Sequence, residues 1–311
     1  MYMNELWERG ASQEEFHHAP FKRPLVPLEE DLDPEAFVPR AEVKMAFGFD
    51  QWPRSDKRLI PGIEFSPAEI NGLADFVVVE DKSTACFKGP MSHHGGLREI
   101  RLRRNKDQDY VFIEMLVALS VETAQEMLVP IVRAGNPVGK RIADSGLALG
   151  DVNFAGRNSI GEFKSILFTR HNIYFCVRAD RRWGGESVDG VNLLAIAQAF
   201  DRKLIAAPLV SLEEFNQLRP RILSFTLTKE RVAKIRNNEA AGESALTYQV
   251  LSPPGFKYTL FADGTGDLQY DDRTKPTRLS AREPGIQTAR LVVIDDHLLF
   301  TWADASIFVE E

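Results

Sequence analysis

A chain of 311 residues, 44% hydrophobic and 27% charged, is long enough for two domains and apolar enough for ordinary cores, so no metal or disulfide staple is required. Its net charge of -7 argues against a dedicated nucleic-acid binder, and no stretch approaches the length of a membrane-spanning helix. The two cysteines, Cys86 and Cys176, lie in apolar strand-like runs and read as buried free thiols.

Residues 1–60 read as an extended proline-rich arm. Pro20, Pro24, Pro27, Pro34 and Pro39 forbid long helices, while Trp7, Phe16, Phe21 and Phe37 give apolar anchors. Residues 1–10 lack the apolar region of a signal peptide. The expected compartment is extracytoplasmic (periplasmic or secreted) if a signal was removed, and cytoplasmic otherwise.

Residues 61–215 carry one short pattern twice. Phe87, Gly89, Ser92, Arg103, Asn105, Ser120, Val121 and Glu122 are answered at constant spacing by Phe154, Gly156, Ser159, Arg170, Asn172, Ser187, Val188 and Asp189. The two copies span about 63–133 and 145–206. In the first, 76–79 and 84–88 read as strands. Ile100 and Leu102 alternate with Arg101 and Arg103, the period of a half-buried strand, and 110–119 returns as its hairpin partner. Ser120 then caps a helix with Glu122 in its first turn, and Pro130 shortens it. The second copy repeats the plan, with a strand at 152–155 and a hairpin of 163–169 and 173–179 turning at Arg170, His171 and Asn172. Its helix is expected to start at the Ser187 cap. The expected fold class is α+β: an internally duplicated strand-hairpin-helix domain, with antiparallel strands on one side and two helices on the other, followed by an all-β domain.

Residues 216–311 read as that all-β domain, a sandwich of short strands at 219–227, 246–251, 256–261, 266–270, 278–281, 289–294 and 298–309. Asp263 and Gly264 make a good hairpin turn. Pro220 leads into an alternating strand with Leu223, Phe225 and Leu227. Glu283, Pro284 and Gly285 then precede a strand that closes on Asp295 and Asp296, and Ile307 to Val309 ends the chain's last strand. In this order the segment resembles the bacterial immunoglobulin-like and PKD-type domains. The resemblance implies an extracytoplasmic spacer or binding module and implies no catalytic residues.

Several residues invite a chemical reading. His93 and His94 sit in a flexible loop, but adjacent side chains there point apart, and a polar hairpin loop explains them without a metal. His17 and His18 are weighed alike. Ser92 and Ser159 lack the context of a nucleophile elbow, and no phosphate-binding or dinucleotide fingerprint is present. The repeated Arg103 and Arg170, with Asn105 and Asn172, read either as hairpin-end residues or as two related ligand sites. Arg98, Arg101, Arg103, Arg104 and Lys106 read as the solvated face of a strand. Asp263, Asp267, Asp271 and Asp272 do not have the spacing of a calcium loop. Asp295, Asp296 and His297 resemble part of a catalytic set but fall in a turn between strands.

The sequence thus points to a non-enzymatic, extracytoplasmic bacterial binding or structural module. Its partner would be a protein or glycan of the cell envelope, contacted through Trp183, Arg103, Arg170, Asn105 and Asn172. No cofactor, metal, nucleic acid or membrane span is expected, and the oligomeric state stays open. The alternative is a hydrolase of a cell-envelope polymer, with His93, His94 and Glu114 or Glu99 in a cleft between the two copies.

Overall fold

A computed structural model describes residues 48–62, 64, 66–86, 95–104, 109–128, 148–157, 162–181, 188, 190–234, 243–264 and 268–310. The chain divides into two compact units, Met1–Leu212 and Glu213–Glu311. Among the described residues no helix is long and apolar enough to cross a membrane.

The first unit holds a short ladder, β1 (Arg58–Leu59) against β8 (Leu209–Val210), and a six-stranded antiparallel sheet. The sheet comprises β2 (Phe76–Cys86), β3 (Gly95–Arg104), β4 (Asp109–Ala118), β5 (Val152–Arg157), β6 (Phe163–Arg170) and β7 (Ile173–Arg181), in the order β2-β3-β4-β7-β6-β5. Two three-stranded meanders therefore meet along β4 and β7. Strand alternation sends Ile100, Ile113, Val177 and Ile166, which are in register, to one face. On that face α2 (Leu193–Ala206) buries Ile196, Phe200 and Leu204, with the Phe200 ring 4.7 Å from Phe175. The opposite face receives α1 (Val121–Glu126) together with Phe49 and Trp52, around Leu97, Leu116, Tyr174, Phe154 and Leu167. Each such fully buried side chain contributes about 1.5–3 kcal/mol.

The second unit contains α3 (Leu212–Leu218), whose first residue marks the boundary, and eight strands among the described residues. Strands β10 (Arg231–Ala233), β16 (Phe300–Glu310), β15 (Gly285–Asp295) and β12 (Tyr258–Gly264) form one sheet in that order. Strands β13 (Leu268–Tyr270), β14 (Arg278–Ala281), β11 (Ser244–Leu251) and β9 (Arg221–Leu227) form the other. Val232, Ala289, Ile307 and Val309 from the first meet Leu246, Leu268, Leu279 and Ala281 from the second in a common core.

The expected fold class does not hold. The described residues are mostly strand, in four sheets with three α-helices, so the chain is mainly β rather than an α+β repeat domain followed by an immunoglobulin-like sandwich. Nor do the helices share a side: α1 and α2 pack on opposite faces of the six-stranded sheet. The physical reasons are local. Ser120 does cap α1, its Oγ accepting the Thr123 N–H at 3.0 Å, but that helix has only 6 residues. In the second half Gly190 takes φ 75, a left-handed conformation that interrupts a helix, so α2 starts at Leu193 under an Asn192 cap. Ser187 lies outside the described residues. In the second unit β10 runs parallel to β16, a pairing that strand spacing along the sequence does not encode.

Candidate binding face

On the face that carries α1, the stretch of sheet beyond that helix is a lattice of charged and aromatic side chains on β2, β3, β4 and β7. Its register follows from a bulge. Val78 pairs with Leu102 and Glu80 with Arg101, leaving Val79 extra. That single extra residue brings Glu80 opposite Arg101 and Lys82 opposite Glu99. Glu99 in turn stands opposite Glu114, and Glu114 opposite Cys176. In the adjoining row Arg101 opposes Phe112, and Phe112 opposes Arg178.

The charges are largely answered within the lattice. Lys82 Nζ lies 3.1 Å from Glu99 and 3.4 Å from Glu80, and Arg101 bonds Glu80. The Arg178 guanidinium sits 4.7 Å over the Phe112 ring and 4.0 Å from Glu114. Tyr110 stacks beside Phe112 at 6.0 Å. A hollow of about 120 Å³ is framed by Lys82, Glu99, Arg101, Phe112, Glu114 and Arg178.

Burial pushes the Glu114 carboxyl above its ordinary value; Arg178 draws it back and the neighbouring Glu99 carboxylate raises it further. Beneath it, burial and then Glu114 push the Cys176 thiol up to about 12. Cys176 is a free, buried cysteine. The Tyr174 hydroxyl is raised well above its ordinary value, by burial first and then by Cys176 and Glu114.

Among the described residues, those singled out from sequence do not gather at one place. Glu114 is on this face, and its basic neighbour comes from β7 rather than from its own hairpin. Arg103 is exposed near the end of β3, opposite Tyr110. Arg170 lies at the other end of the sheet, where Nε and Nη2 grip Asp201 of α2 at 2.5 and 2.9 Å. Asn172 is fully buried; its Oδ1 accepts the Leu59 N–H at 2.6 Å and its Nδ2 donates to Ala118 O at 3.1 Å, fixing β1 to the sheet. Asn105, Trp183, His93 and His94 lie outside the described residues, as do His17, His18 and Asp267. Asp271 accepts the amides of Thr277 at 2.9 Å and Arg278 at 3.0 Å and so organises its own loop. Burial works against the Asp271 carboxylate, yet these bonds and the Thr277 hydroxyl hold it below the carboxylate range.

Sequence reasoning missed Phe112, Arg178, Lys82 and Glu80 as a group. Only the bulge and the β4–β7 pairing bring them together, and neither has a local signal. A second cleft, about 440 Å³, adjoins the start of α2 and is lined by Glu162, Phe163, Ala179, Val191, Asn192 and Leu193.

No protein-family model and no curated protein matches the chain. Among solved structures, it is similar to the C-terminal 282-residue fragment of intimin, crystallised in complex with the intimin-binding domain of the translocated intimin receptor (Tir). The identity is 12% over 75% of this chain and 64% of the fragment, with a TM-score of 0.17. So slight a likeness carries no argument about this chain's fold or partner.

Proposed function

We propose that the chain is a binding module whose contact surface is the charged and aromatic face of β2, β3, β4 and β7, and that its partner is a protein. The observation that carries this is the Arg178–Phe112 pair, half-exposed beside Tyr110 and ringed by Glu80, Lys82, Glu99 and Arg101. Arginine and aromatic side chains dominate the energetic centres of protein interfaces, and alternating charges at the rim select partners more than they add affinity.

The test compares wild type with the double variant F112A/R178A as bait in the same cell-envelope extract. The reading expects a saturable partner that the double variant loses while its thermal midpoint stays close to wild type. Equal capture by both proteins would sink the assignment to this face.

One observation favours a rival. Glu99 and Glu114 stand directly across from each other, and burial raises the Glu114 carboxyl above its ordinary value, as suits a general acid beside a second carboxyl group. In a hydrolase of a cell-envelope polymer, E114Q would abolish turnover and leave partner capture intact. Turnover that survives E114Q removes this rival.

A further inference from the structure

We infer that the hairpin joining β15 to β16 binds a divalent transition-metal ion of the zinc class through Asp295, Asp296 and His297. Each of these residues offers one ligand atom, and the three atoms lie within 4.8 Å of one another. The site belongs to the second unit and is independent of the face proposed above.

The buried member of the set points to a cation. Asp295 is only 3% exposed. Its Oδ1 accepts the amides of His297 at 2.9 Å and Leu299 at 2.8 Å, but its Oδ2 has no hydrogen-bond partner among the described residues. A buried carboxylate oxygen without a donor is costly to keep charged. A metal ion bound through that oxygen would satisfy it.

The histidine is held ready. Its ring stacks on Phe256 with centroids 4.2 Å apart and planes 26° apart. Its Nδ1 lies 3.0 Å from Asp296 Oδ1. Metal–ligand bonds of about 2.0–2.2 Å place neighbouring ligand atoms roughly 3 Å apart, so this pair already has the spacing of a coordination edge. Asp296 and His297 are partly solvent-exposed, at 47% and 25% of their side chains, and can close onto an ion by small rotations.

The donor set decides the class of metal. One imidazole with two carboxylates suits zinc and its first-row neighbours, whereas calcium prefers six to eight oxygens. Three protein ligands leave a position for water or for a donor group from a partner.

The experiment uses the full chain. Equilibrium dialysis against zinc counts bound metal, and melting curves follow the stabilisation that binding confers. Other histidines can also take zinc, so the readout is the difference between wild type and variants. D295N keeps an oxygen to accept the two amides, and H297A leaves the backbone turn untouched. The expected result is a saturable rise of the melting midpoint with zinc, with one equivalent lost or weakened at least about tenfold in both variants. Zinc binding that is equal in wild type, D295N and H297A would overturn the assignment. So would a protein that binds no zinc, or one stabilised by calcium and not by zinc.

Discussion

At Glu114 the folded state favours the protonated carboxyl, because burial and the Glu99 carboxylate outweigh Arg178. A raised folded value means that the stability it contributes is fully present below the ordinary carboxylate range. That stability is lost as pH rises through the raised value. E114Q, which cannot ionise, should therefore gain on wild type as the medium goes from acidic to mildly alkaline, read from urea midpoints across that range. Cys176 gives a second expectation: with its thiol pushed to about 12, it should resist iodoacetamide at neutral pH in a C86S background and react once unfolded. Arg170 and Asn172 were visible in the sequence as repeated residues, but their roles were not. Asp201 and Leu59, which they bind, are remote in sequence. R170A would strand the buried Asp201 and is expected to cost about 3–5 kcal/mol. N172A, which orphans buried backbone groups, should cost about 1–3 kcal/mol, and chemical denaturation checks both.

The elements best read from sequence were those with local signals. The alternation at 97–104 and the turn at Arg170 to Asn172 correspond to β3 and to the β6–β7 hairpin, and Ser120 caps α1. Helix extent was misread because it depends on backbone state: a serine cap and an apolar run do not reveal that Gly190 turns left-handed. Two glycines make this testable. At Gly190 a Cβ would find its nearest neighbour at 3.9 Å, so G190A pays mainly for its conformation, about 1 kcal/mol. At Gly150, φ 59, a Cβ would come within 2.6 Å of Thr169 O and 2.7 Å of the Phe168 ring. G150A should be distinctly more damaging than G190A, and paired thermal melts would show the ranking.

At the scale of the whole molecule, each unit carries its own buried core, so each has the means to unfold as a cooperative block. Calorimetry is expected to resolve two components. L279A, at a position 1% exposed in the core of the second unit, should lower one component by the equivalent of about 2–5 kcal/mol and leave the other in place. The charged face of the first unit is a matter of counting as much as of composition. With Val79 looped out, Lys82 opposes Glu99; were β2 to run straight through, Asp81 would take that position and set two acids against each other. The surface is thus encoded by chain length at one point. Removing Val79 should keep every charge with its present partner, whereas removing Asp81 should leave Arg98 without its carboxylate and shift the pairs beside it.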